Sequence, residues 1–303
     1  MQQIGSKLFE LYLFVVKRFT GTNIGNISAI KALHRRLLYM FRSTPIKVNN
    51  YYMYIGDESA RKYDSGQALL LNGNMEPYTT AIFRQVITEN MNIVDIGANI
   101  GYFSLLAASI IGNKGKVFAF EPDPDNYEIL VKNIKLNGYK NVVSLPKAVS
   151  NKNGTSTFFQ YDPTGWSSFF SSNANPVGVI SVETVTLDDY FSNIGLIDVV
   201  KIDVEGAEIL VLEGMKKVIE KNDNIKIFIE FNPGCIENAE FSKMQFWNTM
   251  TLCGLKYFYL IDDVDFKTKR VEYEDMVDIF NSKFESIGFA NLLCTKIPLT
   301  QYD

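Results

Sequence analysis

The sequence predicts an α/β fold in which a mostly parallel sheet is flanked by helices and preceded by a basic helical extension. From residue 91 onward, short apolar runs alternate with segments of helical periodicity, which is typical of strand–helix–strand units. The first apolar run ends in a turn with two glycines, and a helical segment follows directly. The chain has 303 residues, of which 47% are hydrophobic and 21% charged, enough for one large core with an appendage.

The periodicity assigns the elements of this fold in chain order. Predicted strands cover residues 92–96, 116–120, 142–145, 198–202 and 225–229, and predicted helices cover residues 102–111, 124–137 and 208–221. Residues 151–185 are rich in Ser, Asn, Gly, Phe and Thr and lack a helical period, which predicts a β-hairpin or loop inserted near the sheet edge. The chain is thus divided into a basic helical extension, a lead-in and a main domain, at residues 1–47, 48–90 and 91–303.

Charge separates the amino-terminal segment from the rest of the chain. The formal net charge is −4, but residues 1–50 carry +7 and residues 51–303 carry −11. The apolar run 8–16 is about half as long as the ~20 residues that cross a bilayer, and no signal peptide is predicted. The spacing of residues 30–42 predicts a basic amphipathic helix. Two interpretations stay open: residues 1–45 contact an anionic membrane surface, or this helix packs on the protein's own main domain.

The chain offers little for chemistry based on histidine or cysteine. The single histidine, His34, excludes a Ser–His–Asp triad and a multi-histidine metal site. Cys235, Cys253 and Cys294 lack the spacing of metal ligands, and we expect reduced thiols in the core. Reduced thiols fit a cytoplasmic protein, which on the membrane interpretation would also associate peripherally with the bilayer.

A glycine turn and an acid after the next strand indicate the ligand. Gly97 and Gly101 are separated by three residues, a spacing that weakens the pyrophosphate interpretation of Gly-x-Gly-x-x-Gly turns. Glu121 ends the second strand, 26 residues after Asp95, where a carboxylate can accept both hydroxyls of a ribose. A ligand with a ribose and no pyrophosphate fits S-adenosylmethionine. On the alternative interpretation, the glycines only tighten a turn and Glu121 caps the next helix.

Six short blocks occur along the main domain: Asp95–Ser104, Phe120–Pro124, Thr186–Tyr190, Lys201–Glu208, Glu213–Gly214 and Ile229–Asn232. Together, and in this order, they resemble the FkbM family of S-adenosylmethionine-dependent methyltransferases. The similarity covers residues 75–295 and leaves residues 1–50 outside. It implies a Rossmann-like class I methyltransferase with a seven-stranded sheet. The activity it implies is O-methylation of a hydroxyl on a sugar, a glycan or a related small molecule.

The resemblance also implies roles for particular residues. The amino acid half of the methyl donor would be lined by residues of the glycine turn and the strand before it: Asp95, Gly97, Asn99 and Gly101. By the same resemblance Glu121 would bind the ribose, and Ala148, just past the third strand, would lie near the adenine. Glu76 belongs to an acidic lead-in that resembles the family's segment before the first strand, and by this resemblance it is a further candidate for binding the methyl donor.

Two acids at neighbouring strand ends are the candidates for catalysis. Asp203 ends the fourth predicted strand and Glu230 the fifth, and ligands of parallel sheets bind at this edge. The favoured hypothesis needs no metal: Asp203 or Glu230 accepts the proton of the acceptor hydroxyl. The second hypothesis is a divalent ion such as Mg²⁺ held by Asp203, Glu230 and Asn232. Lys201 lies on the same strand face as Asp203, which predicts an ion pair between them.

Other residues near these acids allow two interpretations. Glu205 and Glu208 either belong to the site or cap the helix that follows. Trp166, Phe169 and Phe170 either stack on an acceptor such as a sugar or form a small core under the inserted loop.

Two other functional classes compete with methyl transfer to a small molecule. One is a catalytically inactive module that binds S-adenosylmethionine and regulates. The other is an RNA methyltransferase, which the basic residues 1–50 favour and the acidic main domain disfavours, so nucleic acid is not the expected partner. No feature of the sequence predicts an oligomeric state.

Overall fold

The computed structural model of the chain describes residues 45–55, 69, 74–161, 167–171, 175–284 and 287–302. Its centre is an eight-stranded sheet. In spatial order the strands are Lys267–Arg270 (β12), Tyr257–Asp262 (β11), Ala290–Thr295 (β13), Lys226–Phe231 (β10), Val199–Ile202 (β9), Asn92–Ile96 (β3), Lys116–Phe120 (β4) and Val142–Leu145 (β5). The strands from β10 to β5 are parallel, whereas β13 is antiparallel to both β10 and β11. The predicted α/β fold with a mostly parallel sheet is confirmed.

Helices cover both faces of this sheet. The described residues form nine α-helices: Pro77–Val86 (α1), Tyr102–Ile111 (α2), Pro124–Leu136 (α3), Leu187–Tyr190 (α4), Glu208–Glu213 (α5), Lys216–Lys221 (α6), Pro233–Asn238 (α7), Lys243–Leu252 (α8) and Tyr273–Ile279 (α9). A π-helical turn, Phe280–Phe284, continues α9.

The sheet has one strand more than the seven that the family resemblance implies. The additional strand is β12, which forms an antiparallel hairpin with β11 at the sheet edge. Three of its four residues are basic, namely Lys267, Lys269 and Arg270, and exposed charges of this kind suit an edge strand because they oppose further pairing.

The predicted helix 208–221 is wrong in one respect, because it consists of two helices, α5 and α6, that separate at Gly214. A β-carbon on Gly214 would lie only 2.0 Å from the carbonyl oxygen of Ser150. The chain therefore passes directly against a neighbouring loop at this glycine. The other predicted strands and helices of the main domain agree with the structure within two residues at each end.

Alternate side chains of each strand face two separate cores. On β3, Val94 and Ile96 belong to one core and Ile93 to the other, which includes the aromatic rings of Phe83 on α1 and Phe103 on α2. Because faces alternate, a set of polar residues lies on the second face of four adjacent strands. This set, the polar stripe, consists of Asp95 (β3), Lys201 (β9), Glu230 (β10) and Asn291 (β13).

Two smaller sheets accompany the main one. Ile46–Val48 (β1) and Tyr51–Met53 (β2) form a hairpin, and the Asn133 side chain of α3 bonds both backbone polar groups of Tyr54. Within the predicted insertion 151–185, Gly154–Gln160 (β7) pairs antiparallel with Gly178–Val185 (β8), which also pairs with Ala148–Val149 (β6). The division of the chain at residues 47 and 90 stays a prediction.

The basic segment lies almost wholly outside the described residues, so the amphipathic helix 30–42 and the contact of residues 1–45 with a membrane stay predictions. Among the residues that the structure does describe, no helix has the length and apolar character needed to span a bilayer.

Candidate active site

The turn after β3 is held against the ends of both neighbouring strands. The backbone N–H groups of Gly97 and Ala98 donate to the carbonyl oxygen of Phe120, at 3.0 and 2.9 Å, and the N–H of Asp203 donates to that of Ile96 at 3.1 Å. Gly97 has a φ of +77°, and a β-carbon on it would lie 1.8 Å from the carbonyl oxygen of Asp203. Only glycine permits this approach, which places the end of β9 against the glycine turn.

Glu121 lies at the other side of the same turn. Its carboxyl group is nearly buried and accepts the backbone N–H groups of Asn99 at 2.7 Å and Asp123 at 2.9 Å. Asn99 has a φ of 50°, in the left-handed region that Asn tolerates. Each oxygen accepts one of these bonds and has a second lone-pair direction. The carboxyl group is therefore fixed in place and can still accept two hydroxyls, as a ribose would need.

Burial raises the pKa of Glu121 to about 8, although the hydrogen bonds from Asp123 and Asn99 act in the opposite direction. Burial thus favours the protonated form of this carboxyl group in the ligand-free protein. Acceptance of two hydroxyl groups requires the ionised form, so we expect ligand binding to release this proton.

Lys201 of the polar stripe forms an ion pair with Asp203, the residue directly after β9. Lys201 is 2% exposed; its Nζ lies 2.7 Å from Oδ2 of Asp203 and 4.6 Å from the ring centroid of Phe103. The predicted ion pair of Lys201 and Asp203 is present. Asp95, directly beside Lys201 in the strand register, accepts the Oγ hydroxyl of Ser104 at 2.5 Å. Asp95 is thus oriented by the first turn of α2.

The lead-in acid joins the stripe from the start of α1. Glu76 has a φ of 44°, and its Oε2 accepts the side-chain amide of Asn291 at 3.0 Å. Asp263, after β11, accepts the backbone N–H groups of Tyr78 and Thr79 at 2.7 and 3.1 Å, so a distant loop caps this helix. These contacts hold Glu76 near the polar stripe.

Three carboxyl groups converge at the ends of β9 and β10. Asp203, Glu205 and Glu230 have carboxyl oxygens within 4.8 Å of one another, and we call them the acid cluster. Glu205 has a φ of 50° and accepts the thiol of Cys235 at 3.1 Å. A β-carbon on Gly206 would lie 2.5 Å from the carbonyl oxygen of Cys235, so the loop after β9 is packed tightly against α7.

Burial and mutual repulsion shape the ionisation of these acids. Burial is the main cause that raises the pKa of Glu76 to about 7 and that of Glu205 to about 8. Burial, together with the charges of Asp203 and Glu205, also raises the pKa of Glu230 well above its usual range. For Lys201, burial acts to lower the pKa, but the surrounding carboxylates outweigh it and raise the pKa.

Two candidate residues from the sequence analysis, Asn232 and Ala148, have other contacts in the structure. Asn232, a predicted metal ligand, uses its side-chain oxygen to accept the N–H of Cys235 as the cap of α7. Among the acidic side chains, Glu205 lies beside Asp203 and Glu230, and a role of Asn232 as a metal ligand stays a prediction. Ala148 is buried in β6 within a small core with Phe158 and Val182, and its place near the adenine stays a prediction.

The sequence left two interpretations each for Glu208 and Phe169. In the structure Glu208 caps a loop and Phe169 packs in a small core. Glu208 accepts the backbone N–H groups of Val204 and Gly206, at 3.3 and 3.2 Å, and so caps the loop that leads into α5. Phe169 packs against Phe158, with ring centroids 6.0 Å apart, in the core under the hairpin. Trp166 lies outside the described residues.

Sequence reasoning missed three residues that build the site. Ser104 and Asn291 orient Asp95 and Glu76, and Asp263 caps the helix behind Glu76. Ser104 follows Asp95 by nine residues across a turn, a spacing that a search for partners on the next helix could have detected. Asn291 and Asp263 come from β13 and the loop after β11, more than 180 residues from their partners, and no local pattern marks them.

Comparison with known proteins identifies the family of this chain. The family model of the methyltransferase FkbM domain matches residues 95–257, more than half of the chain. A hexuronic acid methyltransferase, AglP of Haloferax volcanii, is 30% identical over an alignment that covers 42% of this chain and 50% of that protein. Methyltransferase sdnD of Sordaria araneosa is 31% identical and covers 43% of this chain and 62% of that protein. The chain thus spans between half and two thirds of these relatives.

Among solved structures, fibrillarin of Aeropyrum pernix with bound S-adenosyl-L-methionine matches with a TM-score of 0.43 and 12% identity. The match covers 82% of this chain and 84% of that chain.

Proposed function

Because the chain belongs to the family of proteins with a methyltransferase FkbM domain, we propose that it is an S-adenosylmethionine-dependent O-methyltransferase. Its proposed acceptor is a hydroxyl of a sugar, a glycan or a related small molecule. One observation carries the proposal: the glycine turn, the nearly buried Glu121 and the acid cluster meet at the carboxyl ends of four adjacent parallel strands.

The donor would lie along the turn between Glu121 and Asp203. Glu121 offers the acceptors that a ribose diol needs, and the ends of β3 and β9 lie close together above Asp95. When bound, S-adenosylmethionine supplies a methyl group on a sulfonium, which needs no further activation. The protein's own task is therefore to align the acceptor hydroxyl and to remove its proton.

The acid cluster supplies the proton acceptor in this proposal. Oδ2 of Asp203 is engaged by Lys201, which leaves Oδ1 for the substrate, and Glu230 accepts no hydrogen bond from any described residue. Either carboxylate can take the hydroxyl proton as the oxygen attacks. Lys201 acts as a positioning residue because its ion pair holds Asp203 in one orientation.

A metal-dependent variant of this proposal uses the same carboxylates. The oxygen-rich acid cluster matches the ligand chemistry of Mg²⁺, with Glu205 as a candidate ligand in addition to Asn232, but Lys201 already neutralises part of its charge. We favour the metal-free form. Methyl transfer should survive exhaustive chelation with EDTA, and activity that disappears and returns with added Mg²⁺ would establish the metal-dependent form instead.

The acceptor class rests on family and relatives. AglP, the relative from Haloferax volcanii, is named as a methyltransferase of a hexuronic acid, which supports a sugar-like acceptor for this chain. We therefore propose to assay neutral sugars, uronic acids and lipid-linked sugars with radiolabelled donor. Donor binding without product across this panel would favour the regulatory module instead.

Two substitutions separate donor binding from turnover. Glu121→Ala should weaken S-adenosylmethionine binding by about tenfold or more, because it removes the two acceptors for the ribose. Asp203→Asn, which keeps an oxygen for the hydrogen bond from Lys201, should leave donor affinity within a few-fold and lower kcat. Isothermal titration and initial rates measure both, and unchanged donor affinity in Glu121→Ala would disprove the ribose assignment.

A further inference from the structure

Phe266 lies in the turn between β11 and β12, residues 263–266, and it is both strained and exposed. Its φ of 53° is in the left-handed region, where a bulky side chain is an outlier and Gly or Asn is usual. The residue is 59% exposed, so packing does little to offset this strain. Backbone strain that the surrounding structure maintains is concentrated at functional sites, and Phe266 is therefore a candidate for contact with a ligand.

Hydrogen bonds and ion pairs hold the backbone of this turn. Oδ1 of Asp262 accepts the backbone N–H groups of Val264 at 3.0 Å and of Asp265 at 2.9 Å. Lys283 pairs with Asp262, and its Nζ lies 2.6 Å from Oδ2 of Asp265. The turn thus holds the ring of Phe266 outside the core at a defined position.

The turn lies at the same edge of the sheet as the acid cluster. Because β13 is antiparallel to both β10 and β11, the carboxyl ends of β10 and β11 are at the same edge. Neighbouring strands are about 4.8 Å apart, so these two ends, with β13 between them, are about 10 Å apart. The turn is therefore at the rim of the proposed site, on the side of the acid cluster away from Glu121.

A second aromatic ring connects the turn with the lead-in acid. The ring of Tyr78 meets that of Phe266 edge-on, with centroids 6.0 Å apart and planes at 73°. The Tyr78 hydroxyl accepts the hydroxyl of Thr268 at 3.3 Å. Tyr78 follows Glu76 by two residues, and its backbone N–H donates to Asp263 of the turn. The rim thus combines an exposed aromatic surface with two hydroxyl groups close to Glu76.

We propose that Phe266 and Tyr78 form a subsite that binds a sugar ring of the acceptor. An aromatic ring offers a flat apolar surface for the C–H face of a sugar, and hydroxyl groups beside it can pair with those of the sugar. This inference rests on the proposed function and extends it, because the subsite binds a part of the acceptor about 10 Å from the hydroxyl that reacts. The acids Asp263 and Asp265 disfavour an anionic lipid surface as the partner of this turn.

Phe266→Asn separates binding of the acceptor from stability of the fold. Asn tolerates the left-handed backbone, so the midpoint of thermal unfolding should stay the same or rise. Loss of the ring should raise KM for a sugar acceptor by about threefold to tenfold. Donor affinity and kcat should stay within about twofold, because the ring lies at the rim and away from Glu121. Phe266→Tyr keeps an aromatic ring and should keep the KM of the wild type.

Leu252→Asn is the matched control for loss of exposed apolar surface. Leu252 is 82% exposed and is the last residue of α8, which leads into the start of β11 at the opposite edge of the sheet. Its replacement should leave KM for the acceptor unchanged.

Initial rates with radiolabelled donor and the panel of neutral sugars, uronic acids and lipid-linked sugars decide among the outcomes, together with thermal unfolding and donor titration. Methylation of a sugar with an unchanged KM in Phe266→Asn would overturn the inference and leave the proposed function intact. If that variant also loses binding to lipid vesicles, the ring contacts a membrane instead. A folded protein that methylates no sugar of the panel would overturn the proposed function, and the inference with it.

Discussion

Lys201 is a buried cation on which we expect both the stability and the proposed chemistry of this protein to depend. Its ammonium is almost completely buried, yet it bonds Asp203 and lies over the ring of Phe103. A buried cation of this kind is tolerated only with compensating charge, because desolvation of the ammonium is costly. The neighbouring carboxylates are tolerated for the same reason. Removal of Asp203 leaves the buried ammonium unpaired, and removal of Lys201 takes the compensating cation from the nearby buried carboxyl groups of Glu76 and Asp95.

Lys201→Met should therefore lower the free energy of unfolding by about 3–5 kcal/mol, as measured by urea denaturation. Lys267→Met is the control, because Lys267 forms a solvent-exposed pair with Asp265 and should cost less than about 1 kcal/mol. Equal effects of the two substitutions would contradict the structural role of Lys201.

Glu121 makes stability depend on pH. Its pKa is raised from 4.5 to about 8 by burial, so the folded protein holds a proton that the unfolded chain releases. The resulting stabilisation is fully present below pH 4.5 and is lost as the pH rises towards 8. We expect Glu121→Gln to remove up to about 1.4 kcal/mol per pH unit from the slope of unfolding free energy between pH 5 and 8.

The measurement is denaturation of the ligand-free protein at several pH values. Exposed Glu128→Gln, on α3, serves as the control for loss of a charge at the surface. A slope that is identical in the wild type and in Glu121→Gln would show that Glu121 is ionised throughout this range.

At the scale of elements, the site depends on loops that are held together by backbone contacts. The glycine turn bonds the end of β4, and the end of β9 bonds the residue before the turn. The alternation of apolar strands and helices predicts where these turns occur along the chain. It does not predict that Gly97 leaves space for Asp203, because that contact joins loops more than 100 residues apart.

Gly97→Ala should disrupt this junction and abolish donor binding. Ala would combine a φ of +77° with a β-carbon 1.8 Å from a carbonyl oxygen, at a cost of about 3 kcal/mol or more. Gly138→Ala is the control, since Gly138 has a φ of +67° with no atom within 4 Å and should cost only about 1–2 kcal/mol. Thermal unfolding and donor titration test both, and similar results for the two would contradict the close approach.

Local pattern and long-range contact account for what the sequence does and does not predict. The strands Asn92–Ile96 and Lys116–Phe120 match their predicted bounds, because runs of buried apolar residues determine them locally. The break at Gly214 escapes the helical pattern, since its cause is the distant carbonyl of Ser150. In the site, the acids at strand ends can be recognised as candidates from the sequence. The role of Asn291 cannot, because its partner Glu76 lies on another element.

At the scale of the whole molecule, charge and function are expected to be divided along the chain. The acid cluster belongs to the region of net charge −11, while residues 1–50 carry +7. On the membrane interpretation, the basic segment would bring the acidic domain to its substrate. An anionic membrane surface is the substrate location that we propose.

Removal of residues 1–45 should leave donor affinity unchanged and abolish binding to vesicles that contain anionic lipid. Neutral vesicles provide the control, because a basic segment is attracted by lipid charge. Co-sedimentation measures binding, and a truncated protein that still sediments with anionic vesicles would refute this role.

The position of β13 has a consequence for how the protein is made. This strand is the last of the sheet in chain order, yet it lies between β10 and β11 and carries Asn291, which holds Glu76. A chain emerging from the ribosome therefore exposes two unpaired strand edges until the residues from 290 onward appear. The pairing that completes the sheet also fixes the lead-in acid, so the site is assembled only as this segment is released.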